Sequence, residues 1–182
     1  MKHLTAILLA TLLASGSAFA AGDTAPKADK MMKTPMAKCG PGMVSKKLKN
    51  GRMKCTKMKV GVLPDNELYA QGYKLAKLGE YHRAIEILSA VQNHNNPDVL
   101  NMLGYSNRKA GRIELGISYY AAALAQRPNF VRAREYLGEG YVAAGRLDLA
   151  KAQLAEIAKR AGTGSDEYID LAKAINGQTA NL

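Results

Sequence analysis

The residues of this chain with chemistry of their own are concentrated near its start. The stretch "CGPGMVSKKLKNGRMKC" holds the two cysteines of the sequence, Cys39 and Cys55. Between them lie Lys46, Lys47, Lys49, Arg52 and Lys54, and no acid. Two thiols can form a disulfide, hold a soft metal or act as nucleophiles, and the compartment decides among these. Six methionines, Met31, Met32, Met36, Met43, Met53 and Met58, lie in or beside the same stretch. Thioethers suit Cu(I), so copper handling by this Met-rich arm is one alternative. Against it, the lysines repel a cation and a disulfide would consume both thiolates. Further on, His82 and His94 stand outside any metal-ligand spacing. The "GTGSDE" turn lacks both the spacing and the preceding strand of a nucleophile elbow. No catalytic set, metal site or cofactor is expected, and the chain is read as a non-enzyme.

Compartment follows from the first residues, "MKHLTAILLATLLASGSAFAAG". One early cation, Lys2, precedes an apolar run from Leu4 to Leu13, which closes on Ala18-Phe19-Ala20. This pattern predicts a signal peptide over residues 1–20, cleaved after Ala20, and export to a bacterial periplasm. The apolar run is about half of the roughly 20 residues needed to span a bilayer, and no later segment is long and apolar enough. Export puts both cysteines in an oxidising compartment and predicts a Cys39–Cys55 disulfide. Asn50-Gly51 reads as a two-residue type I′ turn, setting Lys49 opposite Arg52 and Lys46 opposite Cys55. Cys39 then lies beyond the ladder, and Gly40-Pro41-Gly42 must turn the chain back for the sulfurs to meet. A two-stranded hairpin is marginal alone, and a staple across such a loop adds roughly 3 kcal/mol in the chain-entropy account.

Charge divides the chain at the same place. Residues 21–62 carry eleven Lys and Arg against two Asp, whereas residues 63–182 carry fourteen against thirteen acids. The alkaline pI belongs to the arm, and a near-neutral body argues against a nucleic-acid-binding domain. The lysines either keep the hairpin soluble or meet an anionic surface, or the arm lies against its own repeats.

The body repeats itself. "NELYAQGYKLAKLGEYHRAIEIL", "DVLNMLGYSNRKAGRIELGISYY" and "VRAREYLGEGYVAAGRLDLAKAQL" align by Gly72, Gly104 and Gly138, then by Gly79, Gly111 and Gly145. A small residue follows in each copy (Ala84, Gly116, Ala150), then a large one (Leu88, Tyr120, Leu154). The first glycine permits close approach of a second helix, and the second ends helix A and turns the chain into helix B. Such pairs cannot bury their apolar stripes alone, so they stack.

A period near 34 with "LNMLGY", "REYLGEGY" and "AQRPNF" resembles the tetratricopeptide repeat. The resemblance implies an all-α solenoid of about three helical hairpins, over about 65–96, 97–130 and 131–164. "SDEYIDLAKAI" supplies a capping helix at about 165–176. With the Cys-bounded basic hairpin in front, the chain is similar to a group of exported bacterial repeat proteins of no defined activity. In that group cysteines flank the "GTG"; here Ala161 and Ser165 stand in those places, which leaves this end without a second staple. The family binds a peptide or a partner helix along its concave face. Carried onto this chain, those places are Asn66, Tyr69, Tyr73 and Lys77 in the first copy and Asn101, Tyr105, Arg108 and Lys109 in the second. The third copy supplies Arg132, Glu135 and Glu139. The resemblance thus implies an adaptor for an envelope protein or peptide.

Overall fold

The computed structural model describes residues 38–59 and 61–179. The expected signal peptide and cleavage site, and Met31, Met32 and Met36, lie outside the described residues. Two short strands, β1 (Met43–Lys47) and β2 (Met53–Lys57), form an antiparallel hairpin. Seven helices follow among the described residues: α1 (Asp65–Lys77), α2 (Tyr81–Leu88), α3 (Pro97–Lys109), α4 (Ile113–Gln126), α5 (Val131–Ala143), α6 (Leu147–Ala161) and α7 (Asp166–Thr179). No helix among the described residues is long and apolar enough to cross a membrane.

The hairpin is stapled by Cys39–Cys55, with their Cα atoms 5.5 Å apart. Gly40-Pro41-Gly42 turns the chain back, with Met43 N–H donating to Gly40 O and Gly42 at φ +68°. Proline followed by a left-handed glycine is the type II pattern. The register differs by one residue from the expectation: Ser45, not Lys46, stands opposite Cys55, and Lys46 stands opposite Lys54. The cause is the turn. Leu48 N–H donates to Arg52 O, and Gly51 is the one residue between them with positive φ, at +80°. This is a three-residue loop with a left-handed glycine, whereas a type I′ turn would need Asn50 left-handed too.

The helices pair as α1/α2, α3/α4 and α5/α6. In each pair the glycine after helix A is left-handed: Gly79 at +80°, Gly111 at +84° and Gly145 at +72°. The next N–H reaches back five residues, Glu80 to Leu75 O, Arg112 to Asn107 O and Arg146 to Tyr141 O. That bond closes a Schellman cap, which no side chain with a Cβ adopts cheaply. Between pairs, Asn96 Oδ1 accepts from Asp98 N–H at 2.9 Å and Pro97 opens α3, so "NNPD" starts a helix by cap and by fixed φ.

Within the pairs the first glycine marks the crossing. A Cβ on Gly104 would lie 2.6 Å from the Tyr120 ring and 3.1 Å from Gly116 O, so both glycines are needed for this approach. Leu88 fills the same place against Gly72. In the third copy the filler is Leu171 of α7 rather than Leu154, which stays only partly buried. The capping helix therefore reaches into the last repeat, with Leu171 and Ile175 buried beside Ala150 and Ile157. At the other end Val44 of β1 is fully buried in the core of the first pair, alongside Leu68, Leu75 and Leu88.

Candidate functional site

Which side of the solenoid is concave follows from the packing. Successive A helices (α1, α3, α5 and then α7) touch one another, while the B helices make no contact of comparable extent with each other. The A side is therefore the inner one. Helical periodicity puts residues three before and one after each first glycine on that side. These are Tyr69 and Tyr73 on α1, Asn101 and Tyr105 on α3, and Glu135 and Glu139 on α5.

An aromatic and cationic cluster occupies the turn after the glycines. The Tyr105 ring lies 6.2 Å from Tyr81 and 5.3 Å from Tyr136, and Tyr136 lies 6.0 Å from Tyr120. Cations surround it. Lys77 Nζ stands 5.4 Å and Lys109 Nζ 5.9 Å from the Tyr105 centroid, and the Arg108 guanidinium stands 6.0 Å from both Tyr105 and Tyr136. Lys77 and Lys109 are exposed, whereas Arg108 is almost covered. Arg108 donates from Nε to the Tyr120 hydroxyl at 3.3 Å and pairs with Glu139. Arg108 is thus a strut between α3, α4 and α5 that also lends its charge to the face, while the two lysines are free to meet a ligand. Burial pushes the Tyr120 and Tyr136 hydroxyls above their ordinary range, so both remain neutral donors.

One turn earlier on the same helices the face is different. Tyr69 and Tyr73 stack at 6.2 Å on α1, with Asn66 exposed beside them. Burial raises the Tyr69 hydroxyl, and Asp98 adds to the shift. Asp98 itself is held by a two-point bond from Arg127, at 3.1 and 2.8 Å. Arg132 is exposed and lies 3.5 Å from Glu167 of α7. Asn101 and Glu135 are buried.

The structure brings Lys77, Tyr105, Arg108 and Lys109 into one cluster and adds Tyr81, Tyr120 and Tyr136, which sequence reasoning missed. Tyr136 lies one turn after Arg132, so the 3.6-residue period was the available signal. Tyr81 opens α2, outside the A helices searched. The five basic hairpin residues, Lys46, Lys47, Lys49, Arg52 and Lys54, are all exposed. Met43 and Met53 stand at opposite ends of the ladder, four residues or about 13 Å apart, and Met58 packs on the first core. These three do not converge on one ion.

No family model and no curated protein sequence matches the chain. Solved structures do. The first TPR of Spaghetti (RPAP3), bound to HSP90 peptide SRMEEVD, superposes with a TM-score of 0.56 at 18% identity, over 64% of this chain and 93% of its own. The type III secretion translocator chaperone SycD of Yersinia enterocolitica gives 0.57 at 16% identity, over 64% and 92%. PcrH in complex with the chaperone binding region of PopB gives 0.54 at 21% identity, over 66% and 99%. The helical body of this chain has the fold of the tetratricopeptide-repeat proteins.

Proposed function

We propose that this protein is an exported binding adaptor that captures a peptide or helix of an envelope partner along its concave face. The observation that carries this reading is the cluster around Tyr105, where two exposed ammonium groups stand over a half-buried ring beside Tyr81 and Tyr136. Aromatic area fixed by neighbouring rings binds at low entropic cost, and Lys77 with Lys109 suits an acidic side chain or a terminal carboxylate. Similar folds holding an HSP90 peptide, a peptide of the translocator YopD and a region of PopB support the mode. A binding role, not a catalytic one, fits this face.

The stapled hairpin offers a second, electrostatic surface. Lys46 stands directly opposite Lys54, an arrangement that costs stability, and an anionic surface would relieve it. Copper handling by the Met-rich arm is the weaker reading, since Met43 and Met53 lie apart and both cysteines are oxidised.

The test is affinity capture from an envelope extract with the full mature protein and a Lys77→Glu/Lys109→Glu variant, at low and physiological salt. A partner held by the first and lost by the second at both salts supports the adaptor. Capture that ignores the variant but disappears with salt refutes the groove and makes the hairpin the working element.

A further inference from the structure

Several cations of the helical body are met by its own acids. Ion pairs run from Arg83–Glu80 through Arg108–Glu139 and Arg127–Asp98 to Lys173–Asp170. The hairpin is the opposite case. Residues 38–59 hold eight Lys and Arg and no acid, and all eight are exposed. Among the described residues none of the eight forms an ion pair. This charge is met by nothing in the fold.

The hairpin is also rooted at one end only. Val44 is fully buried in the first core, and Gly42 lies beside Glu86 of α2. The disulfide and the bonds between Gln71 and Ser45 fix this root. Beyond Ser45 the burial stops, and every residue from Lys46 to Arg52 is exposed. Opposed residues share a face of a ladder and successive residues alternate, so Lys46 and Lys54 project from one face and Lys47 from the other. Leu48 lies between Lys47 and Lys49 at the end of the ladder and is 37% exposed.

We propose that the tip of the stapled hairpin is a peripheral membrane anchor, which enters the headgroup layer of a bilayer of anionic phospholipid. Ammonium and guanidinium groups pair with phosphate oxygens, and each one close to an anionic leaflet adds to the attraction. Two features favour a lipid surface over an acidic protein. A docking protein would meet one face of the ladder, whereas a headgroup layer entered tip first meets both. An apolar side chain amid cations suits the boundary between headgroups and acyl chains. There Leu48 would leave water while the lysine stems lie along the boundary and their ammonium groups stay hydrated.

The anchor rests on the reading of the hairpin as an electrostatic surface, and the test separates the two. Full mature protein with its disulfide intact is floated with vesicles of phosphatidylcholine alone, or of equal parts phosphatidylcholine and phosphatidylglycerol. In parallel it is passed over immobilised polyglutamate. Retention by the phosphatidylglycerol vesicles alone, falling as salt rises, is the expected result. Each of Lys46→Gln, Lys49→Gln and Lys54→Gln should weaken it roughly fivefold. The chain has no tryptophan, so Leu48→Trp supplies a single reporter. Its emission should move to shorter wavelength on those vesicles, while that of Leu149→Trp, at an exposed position on α6, should stay. Binding to polyglutamate with no vesicle binding, or vesicle binding with no shift at position 48, overturns the anchor and leaves the electrostatic surface standing. Equal retention by neutral vesicles, indifference to the three glutamine changes, or equal shifts at both reporters assigns the contact elsewhere and overturns the anchor as well. Binding to neither vesicles nor polyglutamate ends both readings. The substituted positions are exposed, so every variant should unfold at the native temperature.

Discussion

The solenoid has two ends, and they are closed by unlike devices. At the C-terminal end α7 continues the pattern of the repeats, and Leu171 settles against Gly138 in the place a B-helix residue fills elsewhere. Apolar packing of Leu171 and Ile175 does most of that work. At the N-terminal end the cap is a β-hairpin whose geometry is foreign to a helical stack. It inserts one residue, Val44, into the first core and is held by added bonds. Gln71 of α1 acts as a strand for the open edge of β1: its Oε1 accepts from Ser45 N–H at 2.9 Å, and its Nε2 donates to Ser45 O. The disulfide then closes the hairpin on itself. A cap made from the repeat's own pattern needs only shape, whereas a cap of another geometry needs bonds that replace the missing pattern.

The comparison can be broken most directly at the C-terminal end. Leu171→Ala removes a fully buried side chain and should cost about 2–5 kcal/mol in denaturant unfolding. Because each repeat contacts only its neighbours, lost hydrogen-exchange protection should concentrate in α5, α6 and α7. Equal loss in the hairpin would mean one cooperative block, and the two ends would not be separate devices. Replacing both cysteines by alanine is the matching experiment at the other end. It should cost about 3 kcal/mol in the hairpin and first pair, again read by exchange, with α5 to α7 unchanged.

The same contrast explains what could be read from the sequence. Helix pairs, their turns and the α7 cap were legible because each device recurs: Gly79, Gly111 and Gly145 sit at one spacing and make one bond. Leu171 in place of Leu154 was not legible, since both are leucines at permitted helical positions and only packing chooses between them. In the groove, family places located residues but not their state. Arg108 reads like Lys77 and Lys109, yet it is covered because Tyr120 and Glu139 come from two other helices to meet it. Glu135 reads as an ordinary surface acid, yet it is buried, with Glu167 and Asp170 of α7 near enough to help raise its carboxyl. The hairpin occurs once, so no repetition corrected its register, and Gln71 gave no sign of its role because a lone glutamine on a helix is usually solvated.

Smaller changes sharpen the N-terminal half of the comparison. Gln71→Ala hands the edge of β1 to water, and a net loss of about 1 kcal/mol is expected. The loss should show as faster exchange at Ser45 N–H, which donates to the Gln71 side chain. Unchanged exchange there would mean that Val44 and the disulfide seat the hairpin without the clamp.

The smallest effect decides the turn. Gly51→Ala forces a side chain into φ +80° and should cost about 1 kcal/mol, although nothing lies within 4 Å of the added methyl. Asn50 has negative φ, and its side chain accepts one exposed bond from Arg52 N–H at 3.1 Å, so Asn50→Ala should cost only a few tenths of a kcal/mol. A two-residue type I′ turn would hold both residues left-handed and make the two substitutions comparably costly. Unequal losses in hairpin melting, followed through the strand amides, therefore support the register that sets Lys46 against Lys54. Equal losses would shift every side chain of β1 by one place relative to β2 and dissolve the opposed lysines on which the anionic-surface reading depends.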